Sequence, residues 1–199
     1  MAWPKLEFRP IRWLAAVVLA LGASAAVAGD WDLSALMQLL ADQKTGQATF
    51  VETKTLGILD QPVESSGELA YTAPDRLEKR TLKPKPELLL LDGDRLTVEQ
   101  AGKRRISFSL QEQPEVSAFV QSIRGTLAGD RAALEKTYAL ELAGSEDKWQ
   151  LTLAPLSARM RAVIIRIRIG GSHAKVRTID FEQADGDRSK MVITPVVAP

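Results

Sequence analysis

From Gln47 onward, apolar and polar positions alternate with a period of two, in short segments punctuated by turn signals roughly every 8 to 12 residues. That rhythm predicts an antiparallel, mainly β domain. Strands are expected near residues 47–56, 64–71, 76–82, 87–91, 95–100 and 103–110, and again near 138–142, 149–153, 163–169, 176–183 and 189–194. Asp92-Gly93 and Ala101-Gly102 read as hairpin turns. The clearest alternation sets Val163, Ile165, Ile167 and Ile169 on one face against Arg166 and Arg168 on the other, so one side of the sheet meets water.

In two places the period lengthens to that of a helix. Leu33, Leu36, Met37 and Leu40 form one stripe, with Asp32 as N-cap, Trp31 and Leu36 as a hydrophobic staple, and Gly46 as the stop. Val116, Phe119, Val120, Ile123 and Leu127 form the other, over residues 114–127; Pro114 suits its first turn, Gly125 and Gly129 limit it, and Asp130 caps one further turn. A wide sheet must bury its apolar face, and two amphipathic helices are available as the cover. The predicted fold is therefore mainly β with α: a curled, unclosed antiparallel β-barrel of about eleven strands in meander-like order, covered by lid helices. The space beneath the lid is an apolar chamber or an ordinary filled core, since both require the same side chains.

Ahead of this domain, Arg9 and Arg12 precede an apolar run from Trp13 to Val27 that ends in Ala26-Val27-Ala28, the layout of a secretory leader cleaved after Ala28. The organisation expected is a signal peptide over residues 1–28 and one domain over 29–199. Loss of Lys5, Glu7, Arg9 and Arg12 with the leader turns the formal charge from +1 to −1. Such a chain lacks the basic excess that nucleic acid demands. It contains no cysteine, which excludes disulfides and a lipid-modified terminus.

Reactive chemistry is sparse. His173 is the only histidine and sits in a turn-like Gly170-Gly171-Ser172-His173-Ala174-Lys175, so a Ser172 or Ser189 nucleophile has a poor setting and a transition-metal site has too few ligands. Neither cofactor nor metal is expected. Asp92-Gly93-Asp94 and Asp185-Gly186-Asp187 read as turn chemistry and miss the calcium-loop spacing. Asp180 and Glu182 share a strand face and are the least poor pair for carboxylate catalysis. The basic clusters Lys79-Arg80, Lys103-Arg104-Arg105 and Arg159-Met160-Arg161 suit either solvated faces or, with Arg166 and Arg168, docking to an acidic partner or anionic headgroups.

Several short motifs occur in a telling order: Ala48-Thr49-Phe50-Val51-Glu52, then Gly67-Glu68-Leu69-Ala70-Tyr71 with Pro74 closing that strand, then Leu90-Leu91-Asp92-Gly93-Asp94-Arg95-Leu96. Ile179-Asp180-Phe181-Glu182-Gln183-Ala184-Asp185-Gly186-Asp187 follows before a final strand. With the leader, the opening helix and the absence of cysteine, this order resembles the periplasmic outer-membrane lipoprotein carrier (LolA) family over almost the whole mature chain. The resemblance implies an unclosed β-barrel with a helical lid, no catalytic residue, and a monomer located in the periplasm. Its implied partners are lipidated or long-chain amphiphilic cargo, an inner-membrane exporter and an outer-membrane acceptor. Where such carriers place a lid-holding arginine before the proline of the second strand, this chain has Ala73, and the stretch from Ala73 to Pro84 instead resembles a divergent branch that accompanies membrane exporters and lipid or aryl-polyene biosynthesis, which implies a glycolipid, a polyene or another long-chain amphiphile as alternative cargo.

The physical reading is compatible with carriage, because an acyl chain in water loses about 0.8 kcal/mol per exposed CH2 and needs a dry shelter to cross. Candidate lipid-binding residues are Phe50, Leu69, Tyr71, Leu77, Leu90, Phe108, Phe119, Ile123, Trp149, Leu151 and Ile165. Two rival functions stay open on sequence alone: a non-enzymatic envelope adaptor that binds a protein without lipid, and a carboxylate-dependent envelope hydrolase.

Overall fold

The computed structural model describes residues 31–196; the leader expected over residues 1–28 lies outside the described residues. Eleven strands form one antiparallel sheet: β1 (Thr45–Thr55), β2 (Val63–Thr72), β3 (Arg76–Lys83), β4 (Glu87–Asp92), β5 (Arg95–Gln100), β6 (Ile106–Ser109), β7 (Tyr138–Ser145), β8 (Lys148–Pro155), β9 (Ile164–Ser172), β10 (Lys175–Gln183) and β11 (Arg188–Pro195). Their spatial order is β6-β5-β4-β3-β2-β1-β11-β10-β9-β8-β7, with β6 and β7 as open edges. The sheet is thus curled but unclosed. It is not one simple meander. Two meanders, β1–β6 and β7–β11, meet at a central seam where the first strand pairs with the last, Phe50 opposite Ile193.

Among the described residues four α-helices accompany the sheet, α1 (Leu33–Ala41), α2 (Pro114–Leu127), α3 (Arg131–Glu135) and the short α4 (Ala158–Arg161), with one 3-10 turn over Leu110–Glu112. Asp32 caps α1 by accepting from the Ala35 N–H at 2.8 Å, and Asp130 caps α3 in the same way from Ala133 at 2.9 Å. Gly46 does not stop α1. The helix ends at Ala41, with the Asp42 N–H closing onto the Gln38 carbonyl, and Gly46 lies inside β1. Gly129 does end α2, for two reasons. Its φ is +65°, and a Cβ there would stand 2.1 Å from the Met37 carbonyl oxygen, so only glycine lets the end of α2 reach α1.

The sealed core lies between α1, α3 and the β7–β10 half of the sheet. Leu36, Met37 and Leu40 of α1 pack with Leu134, Tyr138, Trp149, Leu151, Leu153, Ile164, Ile167 and Ile169. One phase error from the alternation needs correcting. A β-bulge opposes Glu182 to Arg166 but Gln183 to Ile164, leaving Ile165 as the extra residue. Ile164 therefore turns inward, while Ile165 is 44 % exposed on the outside.

Candidate functional site: the concave face and its lid

Directly opposed residues of antiparallel strands project to the same side, so the register fixes which side chains share the concave face. One inward row runs Tyr71, Leu77, Leu91, Leu96, Phe108 across β2–β6. A second runs Ala48, Leu69, Lys79, Leu89, Val98, Ile106 across β1–β6. On the other half, Leu142, Leu151, Ile169, Ile179 and Met191 continue the same face across β7–β11.

Of the eleven lipid-binding candidates, the structure brings seven strand residues onto this face: Phe50, Leu69, Tyr71, Leu77, Phe108, Trp149 and Leu151. Phe119 and Ile123 approach it from α2, Phe119 meeting the Phe181 ring edge-on at 5.0 Å. Two candidates fall on the opposite side. Leu90 opposes Glu78 and Thr97, one position out of phase with the inward Leu89 and Leu91, and Ile165 is displaced by the bulge already described. Trp149 and Leu151 are fully buried against the core cluster under α1, with the Trp149 indole donating to the His173 carbonyl at 2.8 Å.

Helix α2 is tied down at three places. Tyr138 of β7 donates its hydroxyl to the Ala118 carbonyl at 2.8 Å, Phe119 meets Phe181 of β10 edge-on, and Arg124 donates to the Gly93 carbonyl at 2.9 Å in the β4–β5 turn. Arg124 also lies 3.5 Å from Asp94. Burial pushes the Tyr138 phenol up to about 12, which keeps it a neutral donor. The best-buried positions of α2 are small: Ala118, Ser122, Gly125 and Thr126. A Cβ at Gly125 would come within 2.8 Å of the Leu134 side chain, so glycine lets α2 sit close to α3 without displacing that leucine. The expected apolar stripe, Val116, Phe119, Val120, Ile123 and Leu127, remains only partly covered. Leu69, Leu77, Leu89, Leu96, Val98 and Phe108 on the facing strands are likewise half-buried.

The concave face also holds a buried ion pair. Glu52, two residues after Phe50, takes a hydrogen bond from Lys79 Nζ at 2.5 Å and from Ser189 at 2.7 Å, with Lys54 at 3.6 Å; the Glu52 side chain is 7 % exposed and that of Lys79 22 %. Lys79 Nζ stands 4.9 Å from the centre of the Phe50 ring. Burial pushes the Glu52 carboxyl up, but the charge and hydrogen bond of Lys79, aided by Ser189 and Lys54, outweigh it and hold the group below its ordinary value. Lys79 thus leaves the solvated pair expected with Arg80. Arg80 does face water, 2.7 Å from Glu78. Period-two spacing places Leu77, Lys79 and Thr81 on one face, and that was the available signal.

The remaining polar candidates are engaged on the outside. Glu182 accepts from Arg166 at 2.7 Å and lies within 3.7 Å of Arg168 and 3.5 Å of Arg188; the hydrogen bond from Arg166 leads in holding its carboxyl below the usual range. Asp180 opposes Arg168 and Lys190. His173 adopts φ 49° in the β9–β10 turn, 3.2 Å from both Glu146 and Asp147. Asp185 and Asp187 brace their own turn, and Asp187 accepts from the Gly57 N–H at 2.8 Å. Among the described residues no group of three or more His, Cys, Asp or Glu is arranged to hold a metal ion.

Comparison with known proteins places this arrangement. A family model described as outer membrane lipoprotein carrier protein LolA-like matches residues 22–197. An outer-membrane lipoprotein carrier protein of Methylibium petroleiphilum is 28 % identical over 180 residues, covering 90 % of this chain and 83 % of that protein. A protein of the same name from Pseudomonas entomophila is 26 % identical over 196 residues, covering 96 % and 89 %. Among solved structures, a LolA superfamily protein from Nitrosomonas europaea aligns with a TM-score of 0.42 at 12 % identity, covering 84 % of this chain and 93 % of that one. With the family model spanning nearly all of the sheet and its lid, the chain belongs to the LolA-like outer membrane lipoprotein carrier family.

Proposed function

We propose that the protein is a non-enzymatic periplasmic carrier that shelters the acyl chains of a lipoprotein, or of another long-chain amphiphile, between α2 and the concave face of β1–β6. It takes this cargo from an inner-membrane exporter and delivers it to an outer-membrane acceptor. The observation that carries the reading is a pair of unfinished apolar surfaces: the stripe of α2 and the inward Leu69, Leu77, Leu89, Leu96, Val98 and Phe108 of β2–β6 are only partly covered, whereas Tyr71 and Leu91 of the same rows and the cluster under α1 are buried. Apolar area left at the water boundary on two facing elements is poor packing for a core and useful lining for a ligand.

The described arrangement is the closed form. Loading lifts α2, and the element that must let go is Arg124 on the Gly93 carbonyl. Ala73 cannot supply such a contact from the second hairpin, so the holding arginine sits on the lid and its acceptor on the sheet. The Glu52–Lys79 pair gives the floor one polar station, suited to the ester or amide end of an acyl chain rather than to its methyl end.

The test is organic extraction and mass spectrometry of the protein purified from the periplasm, followed by uptake of a fluorescent long-chain acyl probe. A bound acyl species, together with probe binding that falls at least tenfold in a Leu77→Asp, Leu89→Asp variant that still folds, is the expected result. That fall corresponds to about 1.4 kcal/mol. A lipid-free protein that also ignores the probe overturns the reading in favour of a protein-binding adaptor.

A further inference from the structure

Antiparallel strands gather their connections at two ends of the sheet, and in this protein the two ends differ in chemistry. One rim carries residues 56–62 between β1 and β2, 84–86 between β3 and β4, 101–105 between β5 and β6, 156–163 between β8 and β9, and 184–187 between β10 and β11. The rim is continuous around the seam: the Gly57 N–H donates to Asp187 at 2.8 Å, and the Ala184 N–H to the Val163 carbonyl at 2.9 Å. The opposite end carries residues 42–44, 73–75, 93–94, 110–113, 146–147 and 173–174.

Cations outnumber acids in the connections of the first rim: Lys85, Lys103, Arg104, Arg105, Arg159 and Arg161 against Asp60, Asp185 and Asp187. Arg105 is paired with Glu99 at 3.1 Å, and Arg161 donates to the Leu156 carbonyl at 2.5 Å; the other four have no ion-pair partner among the described residues. In the connections at the opposite end the balance reverses, with Asp42, Asp75, Asp94, Glu112, Glu146 and Asp147 against the single Lys44. The chain is nearly neutral in sum, so this is segregation rather than excess.

The same rim holds Ile58 and Ile106, the two most exposed of the large apolar side chains among the described residues. Ile58, at the tip of the β1–β2 loop, is 91 % exposed, and beside it Leu59 is exposed too; Leu82, Ile106 and Leu156 complete the group. Ile106 is 59 % exposed and ends the inward row that begins at Ala48, so the apolar floor of the concavity runs out to this rim.

We propose that this rim docks on the surface of an anionic bilayer, with Ile58 and Leu59 dipping into the headgroup layer, the flanking lysines and arginines on the lipid phosphates, and the acidic end directed away. An isoleucine raised into water on a loop tip and surrounded by cations has the two components that interfacial binding requires, apolar insertion and attraction to a negative surface. The acidic end supplies the orientation, since that face is repelled by the same surface. The docking depends on loop chemistry alone and does not require that the concavity hold cargo.

The test is co-sedimentation of the purified protein with vesicles of phosphatidylglycerol and phosphatidylethanolamine, against vesicles of phosphatidylcholine alone. Binding to the anionic vesicles is expected to be about tenfold tighter or more and to weaken as salt rises. Lys103→Glu with Arg104→Glu should abolish that preference, and Ile58→Asp with Leu59→Asp should cut binding to both vesicle types. Glu146→Lys with Asp147→Lys, at the far end, should leave the affinity of the rim intact. All six positions are exposed, so these variants should melt with the wild type. Equal binding to the two vesicle types, or tip and charge variants that bind like the wild type, would overturn the proposal. Loss of acyl cargo with vesicle binding retained would instead count against carriage and leave the docking standing.

Discussion

The two halves of the sheet are built from similar strands, yet they are finished differently. Across β7–β10, the inward residues meet α1 and α3 and vanish from solvent: Leu151, Leu153, Ile167 and Ile169 are all buried. Across β2–β6, the inward Leu69, Leu77, Leu89, Leu96 and Val98 stay half-buried although Leu91 is covered, and a charged pair interrupts the row. The difference teaches that helix coverage, not strand composition, divides structural core from usable surface. The first half holds the fold together. The second is where the protein can give up contacts without losing its shape.

Substitutions should separate the halves. The largest effect is expected at Leu151→Ala, where a cavity opens in the sealed half and stability falls by about 3–4 kcal/mol, read from the urea midpoint. Leu89→Ala, equally apolar but half-exposed, should cost under about 1.5 kcal/mol and instead weaken binding of an acyl probe. Equal losses at the two positions would erase the comparison.

Next comes Lys79→Met, which strands Glu52 among buried groups and should cost about 3 kcal/mol, the low end for breaking a buried pair because Ser189 and Lys54 remain. Adding Glu52→Leu should recover most of that loss. The pH dependence is opposite in the two proteins. With its carboxyl held low, wild-type Glu52 contributes stability above its ordinary value of 4.5, and this is lost as pH falls through the lower folded value. In Lys79→Met burial dominates, so acid relieves the penalty. The stability gap between the two should narrow below about pH 4.5.

The smallest effect is expected at Arg124→Ala. Losing the hydrogen bond to Gly93 should cost about 1 kcal/mol while raising amide exchange in α2 selectively, with the protection of β8 and β9 unchanged. Uniform loss of protection would mean that the helix is not an independently opening unit.

Much of this comparison is legible in the sequence. All eleven strands, the caps at Asp32 and Asp130, and the turn at Asp92-Gly93 follow from period, capping chemistry and positive-φ glycine. The misses have physical causes. Four successive leucines, Leu88 to Leu91, carry no alternation, so only pairing register shows that Leu90 turns outward. The run from Val163 to Ile169 alternates cleanly, but a single inserted residue reverses its phase at Ile165. The Glu52–Lys79 pair joins strands that are not neighbours, and a linear reading sees two charges rather than one contact. Nor does periodicity reveal that α2 buries its small residues on Leu134 and Tyr138 and leaves its large ones half-open.

The seam between β1 and β11 has a consequence for synthesis. Phe50 cannot meet Ile193 until β11 has been made, so the two meanders are joined only after all the other strands are in the chain. Pairings this distant in sequence are slow to form. Each meander can assemble from strands adjacent in sequence, and joining the seam is left as the slow step.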